Sequence, residues 1–320
     1  MDGDDGGKAR AILDPAKFRD PLVTAKGEAR ATVPLVRLAT LWFNTGTLCN
    51  IACANCYIES SPRNDRLAWL TAAEVETFLD EAAALGRETT EIGFTGGEPF
   101  MNPDIVAMLE ATLARGFRAL VLTNAMRPMR RHERALRDLH AHHGDRLVLR
   151  VSIDHYTRAG HEAERGKETW AKALDGLRWL AANGFAVHVA GRTFSGETET
   201  TLRAGYAALF AANGIAIDAG DPEHLVLFPE MDAGADVPEI TTACWSILGV
   251  APEAQMCASS RMVVKRKGAD RAVVLPCTLL PYDEAFEMGP CLADATGAVA
   301  LNHPHCARFC VLGGGSCSRA

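Results

Sequence analysis

From about residue 36 the hydrophobic positions follow two alternating rhythms. Short runs rich in branched and apolar residues are each followed by an Ala- and Leu-rich stretch with apolar positions at helical spacing. That is the pattern of a strand followed by an amphipathic helix. LATLWFN (38–44) reads as the first strand. LTAAEVETFLDEAAALG then reads as a helix capped by Thr71 and ended by Gly86. TEIGFTG is a strand, and NPDIVAMLEATLARG a helix with Pro103 in its first turn. RALVLTN precedes one helix, RPMRRHERALRDLHAHHG, and RLVLRVSID precedes KETWAKALDGLRWLAANG, which Asn183-Gly184 ends. FAVHVAGRT and ETETTLRAGYAALFAANG form the next pair, and HLVLFPE (224–230) closes the series.

About six strand–helix units predict an α/β fold with a parallel sheet. An open doubly wound sheet gathers its chemistry at one switch point, whereas a barrel presents every strand end at one mouth. Here distinctive residues follow every strand: Cys49, Cys53 and Cys56, then GGEP, Thr123-Asn124, Ser152 and Asp154, Gly191-Arg192, and Pro229-Glu230. Six units are fewer than the usual eight, so the expectation is a partial (β/α)6 barrel of the TIM type, open at one side. The barrel is expected over 36–235. A flexible segment is expected over 1–35, and a small cysteine-rich region over 236–320, where the rhythm breaks.

Net charge is −7 and the pI about 5.8, which argues against nucleic acid as a partner of the whole protein. The basic run Arg127, Arg130, Arg131, Arg134 and Arg137 reads as a solvated helix face, with an acidic substrate or partner as the alternative. No apolar run reaches the length that spans a bilayer, and the acidic, Gly-rich start is unlike a signal peptide. Ten cysteines in such a sequence fit a reducing, cytoplasmic compartment, where clustered thiols more often hold metal than form disulfides.

LCNIACANCYIE (48–59) places three of those thiols in one short loop. Zinc and iron–sulfur clusters both usually take four protein ligands, and no histidine follows Cys56 at finger spacing. Three ligands leave a position open, which points to chemistry rather than structure. A Cys-x3-Cys-x2-Cys loop after the first strand, with GGEP some 40 residues on after the second, resembles the radical S-adenosylmethionine superfamily. The resemblance covers roughly residues 36–235. It implies a [4Fe–4S] cluster on Cys49, Cys53 and Cys56 whose fourth iron is chelated by S-adenosylmethionine. Reductive cleavage of that cofactor then yields a 5′-deoxyadenosyl radical that abstracts hydrogen from substrate. The family often carries an aromatic residue just before the third cysteine; here that position is Asn55, with Tyr57 as the nearest ring.

Further cofactor contacts are expected at the same mouth. Gly96 and Gly97 let the backbone approach a ligand, and Glu98 is expected to accept from the cofactor's ammonium group, or else to cap a turn. Ser152 and Asp154 match positions where family members contact the ribose; the alternative is loop capping. Arg192 is expected to pair with the methionyl carboxylate, or else to form a surface salt bridge. Thr123 and Asn124 are expected to contact cofactor or substrate, or else to form a turn. HYTRAGHEAERG (155–166) reads as a long polar loop whose His155, His161, Glu162 and Arg165 order it or touch substrate. Trp69, Trp170 and Trp179 read as packing residues.

Seven cysteines lie beyond residue 240. RMVVKR and RAVVLP read as a hairpin turning at 267–270, which sets Cys257 and Cys277 side by side. HPHCARFCVLGGGSC adds three more thiols. This arrangement resembles, in part, the Twitch and SPASM extensions of the superfamily, and implies one auxiliary [4Fe–4S] cluster, or two. Cys257, Cys277, Cys306 and Cys310 are the expected ligands with Cys317 as substitute; His303 and His305 stand beside them, and zinc is the competing metal. Cys244 and Cys291 fit equally well as buried apolar residues.

Two functions follow. One is a radical S-adenosylmethionine oxidoreductase acting on a peptide or small molecule, reduced by a ferredoxin- or flavodoxin-type donor. The other is a non-catalytic, metal-bound redox-sensing or interaction protein on the same fold.

Overall fold

Capping and periodicity carry most of the helical layer into three dimensions. The computed structural model describes residues 12–316, apart from Arg87 and Ala233. The strands are β1 (Thr32–Val33), β2 (Thr40–Asn44), β3 (Glu91–Thr95), β4 (Arg118–Thr123), β5 (Leu147–Ser152), β6 (Ala186–Arg192), β7 (Leu225–Phe228), β8 (Ser260–Val264), β9 (Val273–Leu275) and β10 (Val299–Ala300). The helices are α1 (Ala72–Leu85), α2 (Ile105–Ala114), α3 (Arg127–Arg130), α4 (Glu133–His143), α5 (Arg158–Arg165), α6 (Thr169–Ala182), α7 (Glu199–Ala212) and α8 (Cys244–Leu248).

Helix α1 begins at a capping box. The Thr71 hydroxyl accepts from the Glu74 amide, Glu74 accepts from the Thr71 amide, and Gly86 ends the helix in the left-handed region. Pro103 lies before α2 rather than within it, because Asp104 takes the N-cap position. The single helix expected over 127–144 divides into α3 and α4 at His132, whose φ of −103° and ψ of 14° leave the helix as its ring packs on Phe100. The polar stretch 155–166 is not a loop. Thr157 caps α5, and its inner face buries His161 and Glu164, an order that the polar composition concealed.

Strands β2 to β7 lie side by side in sequence order, every neighbouring pair parallel. The sheet runs β7-β6-β5-β4-β3-β2-β8-β9, and β7 and β9 form its two edges, so the barrel is open. Alternation along β2 separates two apolar layers: Leu41 and Phe43 face the helices, whereas Trp42 faces the barrel interior with Leu120, Val148 and Met262.

Two expectations change. The C-terminal region does not stand apart from the barrel: β8 pairs in parallel with β2, and β9 returns antiparallel to β8. The hairpin itself forms as read. Nor are residues 12–35 a flexible lead-in. The fully buried Arg30 guanidinium pairs with Glu239 and donates to the carbonyls of Asp20, Val23 and Leu301, while β1 pairs with β10. Burial of a cation requires all of its donors to be met, and here distant segments supply the acceptors. The expected segment 1–11 lies outside the described residues.

Replacing Arg30 by alanine leaves Glu239 buried without its cation. The expected loss is about 3–5 kcal/mol of stability, read as a lower melting temperature and faster proteolysis within 12–35.

Candidate functional site

The C-terminal ends of β2 to β7 surround a cavity of about 180 Å³. Cys49, Cys53 and Cys56 all line it, together with Tyr57, Gly96, Gly97, Thr123, Asn124, Ser152, Asp154 and Arg192. The residues expected at the barrel mouth therefore converge, with Glu98 the exception. Among the described residues no three His, Cys, Asp or Glu side chains meet closely enough to hold a single metal ion. The three thiols instead ring a space, an arrangement suited to a body larger than one ion and, by their softness, to an iron–sulfur cluster.

The cysteine loop is positioned by its neighbour strand. Beyond the end of the β2–β3 ladder, the Gly97 amide donates to Gly46 at 2.9 Å and the Glu98 amide to Leu48 at 3.1 Å. A Cβ on Gly97 would lie 2.2 Å from the Leu48 oxygen, and one on Gly96, at φ 134°, 2.5 Å from the Gly46 oxygen. Only glycine permits this approach of two backbones. The far side of the loop is tied to α5, where the Ala54 amide donates to the Glu164 carbonyl and Asn55 donates to the Glu164 carboxylate at 3.0 and 3.1 Å. Asn55, which departs from the family's aromatic pattern, is thus a tether.

Glu98 does not line the cavity. Its buried carboxylate accepts from the Thr123 hydroxyl and the Asn124 amide, each at 2.8 Å, and from the Phe100 amide at 3.2 Å. Asn124 in turn donates to Asn50 at 2.8 Å. Glu98 thus caps the turn Pro99–Met101, the alternative expected of it, and also fastens β3 and β4 to the cysteine loop. Burial pushes its pKa up to about 7, against the pull of those donors.

The charged residues of the mouth are paired among themselves. Arg165 donates to both oxygens of Asp154, at 2.8 and 3.0 Å, and Arg192 is held by Glu164. Arg192 lines the cavity, but its guanidinium engages this carboxylate. Arg165, which sequence grouped with a polar loop, is the cation whose charge reaches the thiols. Burial raises Cys49 to about 12 and raises Cys53, and Arg165 opposes both shifts. Glu164 gave no sequence signal, because its value lies in being inward-facing on a helix that was not expected. His155 does not line the cavity and is bound by Glu197 at 2.8 Å, while His161 is buried against Trp170.

A second, smaller cavity is lined by Cys257, Cys277, Cys306, Cys310 and His305. The first choice of auxiliary ligands is thus gathered in one place, with Cys306 and Cys310 carried on a π-helical turn, Cys306–Val311. At about 20 Å³ the space holds a water-sized body, so seating a cubane there requires the ring of thiols to spread. Cys244 and Cys291 do not line it, and Cys317 lies outside the described residues. Leu279 borders both cavities.

Adding a methyl group at Gly97 is expected to cost about 1–3 kcal/mol and to displace the cysteine loop. The Gly97→Ala variant should melt lower, and its Cys49 should react faster with a thiol reagent. Because Glu98 titrates higher in the folded protein than the usual 4.5, its contribution is fully present below pH 4.5 and is lost as pH rises through about 7. Urea titrations between pH 5.5 and 8 should show this decline in the wild type and lose that component in Glu98→Gln.

Comparisons place these features in a family. The model of the radical SAM superfamily matches residues 43–204, half of the chain. The chain is 30% identical over 150 residues to the antilisterial bacteriocin subtilosin biosynthesis protein AlbA of Bacillus subtilis, covering 46% of this chain and 31% of that protein. It is 31% identical over 138 residues to the mycofactocin maturase MftC of Mycobacterium ulcerans, covering 43% and 35%. The chain thus spans about a third of the length of these curated relatives. Streptococcus suis SuiB bound to S-adenosylmethionine shares the fold at a TM-score of 0.57 and 13% identity, over 80% of this chain and 63% of that one. AdoMet-bound anSMEcpe does so at 0.56 and 13%, over 80% and 79%. With the family's model matched across the barrel and its fold reproduced, the chain belongs to the radical SAM superfamily.

Proposed function

We propose that this protein is an enzyme that reductively cleaves S-adenosylmethionine and acts on a peptide. The observation that carries the reading is the convergence of Cys49, Cys53 and Cys56 on one cavity whose remaining lining is part polar and part apolar. Those thiolates would hold a [4Fe–4S] cluster, which supplies an electron to a bound sulfonium and so generates a nucleoside radical able to take hydrogen from carbon.

The protein's own residues prepare that site. Gly96 and Gly97 seat the turn after β3 directly on the cysteine loop and line the same space. Arg165 faces the thiols while fixed on Asp154, so it offers a preorganised cation to the cofactor's carboxylate in the role first expected of Arg192. Ser152 remains in the wall for the ribose, and Tyr57 and Asn124 border the same space. Phe228, Leu279 and Phe309 pack together at the mouth, an apolar lining that would disfavour water at the reacting position.

A peptide substrate is supported by the two relatives, one named for bacteriocin biosynthesis and one as a maturase. A second [4Fe–4S] cluster on Cys257, Cys277, Cys306 and Cys310 is supported by their shared cavity, and residues from 236 onward would then act as the auxiliary-cluster region. The reductant would be a small ferredoxin or flavodoxin. No helix among the described residues is long and apolar enough to cross a membrane, in keeping with the cytoplasmic site proposed for the reaction.

Anaerobic reconstitution with iron and sulfide should give about eight irons per molecule, four for each cluster. With dithionite and S-adenosylmethionine the protein should release 5′-deoxyadenosine. Alanine at Cys49, Cys53 or Cys56 should remove about four irons and abolish that product. Alanine at Cys257 or Cys306 should remove about four irons and leave cofactor cleavage in place. An intact first cluster that never cleaves the cofactor would establish the sensor instead, and zinc alone on metal analysis would refute the enzyme.

A further inference from the structure

The first cavity has two chemically distinct walls. One carries the thiols, Thr123, Asn124, Ser152 and every charged residue that lines the space. Its cations and anions are already matched, Arg165 to Asp154 and Arg192 to Glu164. The apolar wall is Tyr57, Leu122, Phe228, Met231, Leu279 and Phe309. All six belong to one continuous apolar cluster, in which the Phe228 and Phe309 ring centroids are 5.8 Å apart. No charged residue lines this side.

We propose that the substrate group brought to the reacting position is an uncharged hydrocarbon side chain of the leucine or phenylalanine class. The inference rests on the preceding reading, in which the sulfonium cofactor occupies the polar wall. The carboxylates of that wall are engaged by arginines and the apolar wall offers no counter-charge. A lysine or glutamate side chain entering here would leave water without a partner, at a cost of several kcal/mol. A hydrocarbon group gains the same contact area without that penalty. The wall is built from the cysteine loop, β4, β7 with the segment that follows it, and the segments after β9 and β10, so five separate parts of the sequence contribute apolar residues to one surface. In the reaction a C–H bond of the substrate residue breaks and a C–H bond forms at the 5′ carbon of the nucleoside, and the unpaired electron remains on the substrate carbon.

The reconstituted protein is incubated with S-adenosylmethionine, dithionite and a blocked tripeptide, acetyl-Gly-X-Gly-amide. X is fully deuterated leucine, phenylalanine, lysine or glutamate, each tested alone and in competition. Total 5′-deoxyadenosine reports cofactor cleavage, and its deuterium content reports the origin of the hydrogen. The expected result is deuterium from the leucine or phenylalanine peptide, about tenfold or more above that from lysine or glutamate. Comparable transfer from a charged peptide overturns the proposal, as does unlabelled 5′-deoxyadenosine with all four. Absence of 5′-deoxyadenosine altogether is a failure of the underlying reading and is distinguished by the first measurement. Met231→Glu should move the leucine-to-lysine ratio about fivefold or more toward lysine, whereas Met231→Leu should preserve it. An unchanged ratio in Met231→Glu would overturn the assignment of that wall.

Discussion

Two stretches of backbone meet at the barrel mouth with no side chain between them, and the rest of the site is built outward from that contact. The turn after β3 lies directly on the start of the cysteine loop because Gly96 and Gly97 bring no Cβ into a gap that backbone oxygens already fill. Two amide hydrogen bonds then continue the β2–β3 ladder into the loop. Once the turn is seated, Glu98 reaches the end of β4 through Thr123 and Asn124, and Asn124 reaches back to Asn50 beside Cys49. Three strand ends and the thiol loop thereby become one rigid unit. A buried carboxylate is tolerable there because donors from three directions meet it.

Electrostatics divide the mouth. The ion pairs Arg165–Asp154 and Arg192–Glu164 sit on the side of β5, β6 and α5, and α5 also holds the cysteine loop through Glu164. Fixing each cation on a neighbouring carboxylate keeps it oriented without a ligand, at the expense of the freedom to meet an anionic group elsewhere. This explains why Arg165 rather than Arg192 is the guanidinium whose charge bears on the thiols. The rest of the lining is apolar, so the two parts of the cavity differ in the chemistry they offer.

The C-terminal region completes the barrel rather than following it. Strand β8 docks on β2, so residues far along the sequence supply Leu279 and Phe309 to the first cavity. Leu279 also borders the cavity of the later thiols. A group held against the apolar wall of the mouth is therefore near both sites at once. The buried Arg30 and its pairing with Glu239 serve the same integration from the N-terminal side.

The short-range patterns of this protein were legible without coordinates. Short apolar runs alternating with helical spacing gave six parallel strands in the right order, Thr71 and Gly86 marked both ends of α1, and three thiols beside a GGEP turn pointed to the family whose model matches residues 43–204. These depend on interactions spanning a few residues, which a linear pattern records. What Glu98 binds, which arginine faces the thiols, that 155–166 forms a helix, and that β8 belongs to the barrel were decided only by tertiary contact. Each depends on which burial sites distant segments create, and an ionisable or polar group shows its partner only when the fold has removed it from water.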